Sequence, residues 1–187
     1  MRTLVVTENI TLDGVIDATE GWFAPAGEAD VDQTDLNEAL RQQAAAADAV
    51  LLGRVTFEEM RGFWPLQTND ETGVAEYLNS VDKHVVSSTM TDPQWQRSTV
   101  LAGDVDDQVR ELKSREGRDI VVTGSITLVH ELIALGLVDE YRLFVYPVVV
   151  GRGARLFDDA TDVGRLRLLE CRPFHSGVVL TRYTANE

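Results

Sequence analysis

Cysteine is almost missing from this chain: Cys171 stands alone among 187 residues. No internal disulfide can form, so the fold rests on its core, and a reducing, cytoplasmic setting is expected. With no base beside it in sequence, Cys171 reads as a buried apolar residue and not as a nucleophile. Basic residues are scarce, with 17 Lys and Arg against 31 Asp and Glu and a net charge of −14. That argues against a broad basic face, and so against nucleic acid or an anionic membrane as partner. A small anionic ligand needs only a local positive site and stays open. No apolar run approaches membrane-spanning length, and Met1-Arg2 leads directly into a strand-like stretch without a signal-peptide pattern. No cluster of His, Cys and acids has zinc-ligand spacing, so no metal is expected. Linkers, internal repeats and low-complexity segments are also missing. One domain over residues 1–187 is the simplest organisation, and 44% apolar residues suffice for a full core.

What is present centres on Asp48–Glu59, DAVLLGRVTFEE. Ala49-Val50-Leu51-Leu52 reads as a buried strand. Gly53 allows a turn or a close backbone approach, and Arg54, Val55 and Thr56 enter a helix. A glycine, a cation and a hydroxyl at a helix N-terminus can seat a phosphate, because the first N–H groups have no partner inside the helix and the dipole favours an anion. The plain alternative is an ordinary strand-to-helix turn.

Around this stretch, strands and helices alternate. Thr3–Leu12 reads as a strand ending at the turn-former Asp13-Gly14, which is either a site loop or a plain turn. Ala18–Gln33 has little periodicity and contains Gly21, Pro25 and Gly27, with Trp22 and Phe23 in its middle. It reads as a lid or pocket wall, or as a surface loop anchored by its aromatics. A helix over about Asp35–Ala47 follows, capped by Thr34 or Asp35 with Glu38 at capping-box spacing. Another helix is expected over Thr68–Asn79, with Thr68 or Asn69 as cap. Lys83–Ser88 is a strand ending in hydroxyls, in which His84 is structural or exposed. Thr99–Leu101 is a short strand and Asp104–Arg115 an amphipathic helix. Asp119–Ser125 repeats the pattern of apolar strand, glycine and hydroxyl before a helix over Ile126–Leu135, closed by Gly136; His130 reads as a helix-surface residue. Asp139–Val150 reads as a long strand interrupted by Pro147, which suggests an edge or a bulge. Arg165–Cys171 and Gly177–Tyr183 suggest a hairpin. Arg152 and Arg155 can meet a substrate phosphate or stay exposed, and exposure is the favoured reading. The order predicts an α/β fold whose mostly parallel central sheet has antiparallel C-terminal strands. The apolar Phe144-Val145-Tyr146 run, taken as an exposed edge, suggests a homodimer.

Three strand ends carry small polar groups: Gly53-Arg54-Val55-Thr56, Ser87-Ser88-Thr89 and Thr123-Gly124-Ser125. In a parallel sheet they share one side, where ligands bind. Their spacing matches neither a G-x-G-x-x-G fingerprint nor a P-loop. Six stretches in order are TLDGVI (Thr11–Ile16), LLGRVTFE (Leu51–Glu58), VVSST (Val85–Thr89), VVTGSITLVHEL (Val121–Leu132), GLVDEYRL (Gly136–Leu143) and PVVVGRGARLF (Pro147–Phe157). Together they resemble the dihydrofolate reductase-like superfamily. More closely, the chain is similar to stand-alone proteins related to the C-terminal reductase domain of the bifunctional riboflavin-biosynthesis deaminase-reductase.

The resemblance implies a dihydrofolate reductase-like three-layer sandwich and NADPH as hydride donor. By motif, Gly53, Arg54 and Thr56 would hold cofactor phosphates. Ser87, Ser88 and Thr89 would lie near the adenosine end and its 2′-phosphate. Gly124, Ser125, Ile126 and Thr127 would meet the pyrophosphate and the nicotinamide side. On the substrate side, Gly14 matches the rim, and Trp22, Phe23, Phe57 and Trp64 are candidate walls for a flat heterocycle. Asp13 and Asp35 are the candidate proton donors, with a turn aspartate and a helix cap as their ordinary alternatives; water is a third source. Relatives of dihydrofolate reductase itself carry Gly-Gly at the second turn, often with a cis bond, where this chain has Thr123-Gly124-Ser125. The nearest implied activity is reduction of 5-amino-6-(5-phosphoribosylamino)uracil. The chain holds no His-x-Glu with Pro-Cys-x-x-Cys, so a reductase without the deaminase is expected. The alternatives are a dihydrofolate reductase or other small-molecule reductase, and a non-catalytic nucleotide-binding protein.

Overall fold

β-Branched and apolar residues fill Leu4–Thr11, and this segment forms β1, an interior strand of the sheet. The computed structural model describes residues 1–19, 21–23, 31–68, 70, 72–158 and 161–185. The first half continues with α1 (Thr34–Ala46), β2 (Ala47–Gly53), α2 (Arg54–Phe63), α3 (Val74–Ser80) and β3 (Asp82–Val86). It is followed by β4 (Ser98–Leu101), α4 (Val105–Ser114), β5 (Asp119–Val122), α5 (Ile126–Ala134), β6 (Glu140–Tyr146), β7 (Leu166–Pro173) and β8 (Val179–Ala185). The described strands form one sheet in the order β4-β3-β2-β5-β1-β6-β8-β7. Pairing is parallel from β4 through β6 and antiparallel at β6–β8 and β8–β7.

Alternation along the strands sends neighbouring side chains to opposite faces. Ala49 and Leu51 join Leu4, Val6, Val109 and Leu132 beneath α4 and α5. Val50 and Leu52 join Phe57, Leu78 and Trp95 on the face of α2 and α3. Leu36 and Ala39 of α1 pack on Phe144, Phe174 and Leu180. The result is the three-layer sandwich with a mostly parallel sheet and antiparallel C-terminal strands. Among the described residues, no helix is long and apolar enough to cross a membrane.

Several expectations are corrected. α3 starts at Val74, not Thr68, because Gly73 takes a left-handed φ of 80° and Asp70 accepts from the Ala75 N–H at 2.8 Å; Asn69, the other expected cap, lies outside the described residues. α1 begins at Thr34 with no side-chain cap, and Glu38 turns to Arg41 and Gln42 in place of a capping box. Pro147 ends β6 and does not interrupt it. β6 lies between β1 and β8 with Phe144 buried, so the exposed edge invoked for a homodimer is not there. Cys171 is exposed on the terminal strand β7. Lys83 is fully buried: its Nζ donates to the Leu78 and Val81 carbonyls at 2.7 and 2.9 Å, closing α3, and sits 4.7 Å from the Trp95 ring centre.

Candidate active site

Parallel pairing of β2 with β5, Leu51 opposite Val122, brings two glycine turns together at the C-terminal end of the sheet. Gly53 leads into α2, and Gly124-Ser125 leads into α5. The approach is so close that a Cβ on Gly53 would lie 2.3 Å from Ser125 Oγ. Ser125 Oγ donates to Thr56 Oγ1 at 2.9 Å, which ties the two helix starts to each other. Ser125 holds a left-handed conformation, φ 59°, which non-glycine residues seldom adopt. All described peptide bonds are trans, including those of the Thr123-Gly124-Ser125 turn.

Neither helix start is closed by a side chain. The contrast is α4, where Asp104 accepts from the Asp107 N–H at 3.2 Å. The first N–H groups of α2 and α5 are therefore available to an anion shared between them. Arg54 adds a permanent charge there; it is exposed and bonded to Glu58 at 2.8 Å. Thr127 is exposed on the first turn of α5, while Ile126 packs partly into the core. At the end of neighbouring β3, Ser87 Oγ accepts from the Thr89 and Met90 N–H groups at 3.2 and 3.0 Å, leaving Ser88 and Thr89 exposed. The arrangement fits an extended dinucleotide: two helix N-termini, a cation, and a hydroxyl-bearing turn one strand away.

Beside this junction a cavity of about 510 Å³ opens between α1 on one side and α2 and α3 on the other. Its walls include Trp22, Phe23, Leu36, Leu40, Trp64 and Tyr146. Trp22 is fixed by donating from Nε1 to the Asp17 carbonyl at 2.7 Å, and its ring stands edge-on to Phe23 and Tyr146. Two buried hydroxyls of the lining, Thr7 Oγ1 and the Tyr77 hydroxyl, have no hydrogen-bond partner. Such atoms are uncommon in a finished core; His84 Nδ1 and Ser98 Oγ, away from the cavity, share the condition. Phe57 is not a wall: it is completely buried against Trp95 on the helix side of the sheet. Pro25 and Gly27 of the loop before α1 lie outside the described residues.

The site's buried acid is one that sequence reasoning missed. Glu8, on β1, lines the cavity, is 6% exposed and accepts from the Gly124 N–H at 2.9 Å. Burial pushes its carboxyl up to about 8, against the smaller opposing pull of that hydrogen bond. The available signal was a lone acid inside an apolar, β-branched strand.

The two acids named from sequence sit elsewhere. Asp13 accepts from Thr11 Oγ1 and from the Val150 and Gly151 N–H groups at 2.6, 3.2 and 2.8 Å. The Thr11 bond, assisted by the two backbone bonds and opposed by slight burial, lowers it to about 2. Asp13 therefore stays ionised and organises the turn. Gly14 is part of that turn, with φ 83° and its N–H donating to the Thr11 carbonyl. Asp35 accepts from the Leu36 and His175 N–H groups, which fastens α1 to the β7–β8 hairpin. Neither Asp13 nor Asp35 lines the cavity.

The family model described as RibD C-terminal domain matches residues 2–180. An uncharacterized protein of Bacillus subtilis (strain 168), YyaP, is 31% identical over 191 residues, covering 99% of this chain and 96% of the relative. A protein of Shewanella sp. PV-4 named for riboflavin biosynthesis has the same fold, with TM-score 0.73, 21% identity and 99% of each chain covered. Dihydrofolate reductase of Enterococcus faecalis, solved with NADP(H), shares the fold with TM-score 0.65 and 17% identity, covering 99% of this chain and 97% of that one.

Proposed function

We propose, from the premise that this chain belongs to the RibD C-terminal domain family, that it is an NADPH-dependent reductase of a flat pyrimidine- or pterin-like heterocycle. Family and fold point to a reductase; the cofactor and the substrate class are our reading. The observation that carries it is the pair of uncapped helix starts, joined by Ser125 and Thr56, opening beside an aromatic cavity with a buried carboxyl.

Gly53, Arg54 and Thr56 on one helix start, and Gly124, Ser125, Ile126 and Thr127 on the other, would hold the cofactor's pyrophosphate. Ser87, Ser88 and Thr89 would take its adenosine end and 2′-phosphate. That the Enterococcus reductase carries NADP(H) on the same fold supports this choice. When bound, the reduced dinucleotide supplies a hydride. Trp22, Phe23 and Trp64 exclude water and orient the flat ring. Glu8 carries a proton at neutral pH, gives it to the nitrogen or oxygen of the substrate's reducible double bond, and regains one from water. This assigns to Glu8 the role first expected of Asp13 or Asp35.

Titration of the protein with NADPH and with NADH, followed by nicotinamide fluorescence, tests the reading. Saturable binding with NADPH the tighter ligand is expected, followed by NADPH oxidation when a pterin or pyrimidine is added. If neither dinucleotide binds, the reductase reading and its cofactor residues fall together.

A further inference from the structure

The charge of the cavity wall narrows the substrate class. None of the described residues lining it is Lys, Arg or His. None of the residues outside the described set is basic either, since those read Glu20, APAGEAD at 24–30, Asn69, Glu71, Asp159, Ala160, Asn186 and Glu187. The charged groups on the wall are acids, Glu8 and Glu59. Basic residues near the cavity have other engagements. Arg41, which passes beside Gly73, pairs with Glu38 at 3.2 Å. Arg155 donates from Nε to the Asp13 carbonyl at 3.0 Å.

With the two helix starts taken by the dinucleotide, a phosphate entering such a cavity would lose its water and gain no cation, which is among the costliest burials a protein can make. A neutral ring faces no such cost. Its body can cover the apolar walls. The volume, about 510 Å³, lies in the ordinary range for small-molecule sites.

We propose that the cavity takes an uncharged, phosphate-free heterocycle. The proposal rests on the reductase reading and specifies its substrate. It sets this chain apart from a reductase of a phosphoribosylated pyrimidine.

Calorimetry on the full chain, with and without NADPH, tests this with matched pairs: riboflavin against its 5′-phosphate, and 5-amino-6-ribitylaminouracil against its 5′-phosphate, beside a panel of unphosphorylated pterins and pyrimidines. A neutral compound is expected to bind, with each phosphorylated partner at least about tenfold weaker, the loss expected of an uncompensated charge. The proposal is overturned if a phosphorylated member binds as tightly as its partner, or if no neutral compound binds with Kd below about 1 mM. Gln43→Arg places a cation in the wall and is expected to narrow the gap by about tenfold or more; an unchanged gap also counts against the proposal. The nicotinamide titration is read separately. A protein that binds neutral heterocycles but neither dinucleotide keeps this inference and loses the reductase reading.

Discussion

The two ends of one sheet are built on opposite principles. At the N-terminal end of β6, Arg142 bonds Glu140 at 2.6 Å and Asp119 at 2.7 Å, and Arg182 bonds Glu140 at 2.7 Å and Glu170 at 3.1 Å. Arg2 pairs with Asp48, and Lys113 with Asp139, close by. Every charge named there has a partner. At the C-terminal end the same strands lead to two uncapped helix starts and a buried carboxyl that accepts from the Gly124 N–H. β6 alone runs from Glu140 and Arg142 to Phe144 and Tyr146 of the cavity. The difference teaches where to look for chemistry: helix N–H groups left open beside a buried acid gather at one end, while ion pairs at the other hold the strands in register.

Three substitutions can break or sharpen this contrast. The largest effect is expected from Arg142→Met, which leaves the buried Glu140 and the half-buried Asp119 short of a cation. Loss of one partner from a buried pair costs ~3–5 kcal/mol, to be read from denaturant unfolding. NADPH affinity of the folded fraction should be unchanged; a loss of binding equal to the loss of stability would dissolve the division between the ends. Next comes Arg54→Ala, expected to weaken NADPH binding by ~1.5–3 kcal/mol with little change in stability, because its Glu58 pair is exposed. Unaltered affinity removes Arg54 from the phosphate seat.

The third concerns Glu8 and pH. Its folded value, about 8, stands above the ordinary 4.5, so the folded state holds its proton more tightly than the unfolded chain does. This contribution is fully present below pH 4.5 and is lost as pH rises toward 8. Glu8→Gln abolishes that titration and should remove a fall in stability of ~2 kcal/mol between about pH 6 and 8, as read by unfolding at each pH. A wild-type and variant profile that stay parallel would mean that Glu8 is ionised throughout. Glu140 runs the other way. Burial acts to raise it, but hydrogen bonds from Arg182 and Arg142 outweigh burial and hold it below the ordinary value, so its contribution is present at neutral pH and lost on acidification. The two ends thus destabilise from opposite sides of the pH scale.

Much of this was legible in the sequence. Apolar runs followed by glycine and hydroxyl located β2, β5 and the turns that meet at Gly53 and Gly124, because strand alternation and glycine's freedom are local properties. The parallel sheet with antiparallel C-terminal strands followed from the order of the elements. The buried acid was not legible: an acid inside a strand reads as a solvent-facing position, and only the pairing of β1 with β5 turns Glu8 toward Gly124. Phe57 was misread as a wall because its neighbour Thr56 does face the site; one step along α2 points Phe57 into the core. The Phe144-Val145-Tyr146 run was misread as an edge because sequence does not reveal that β8 folds back beside β6 and leaves β7 outermost. Asp13 was drawn toward catalysis by its motif and Asp35 by its place in the helix before Gly53, whereas their oxygens are already committed to backbone N–H groups.

The burial of Lys83 has a practical consequence for anyone handling this protein. The chain has only two lysines, Lys83 and Lys113. Both are buried, with Lys113 Nζ donating to the Leu137 carbonyl at 2.8 Å. Amine-reactive reagents therefore find no lysine ready on the folded molecule. The appearance of an acyl group on Lys83 or Lys113 in a mass spectrum counts the molecules that have opened.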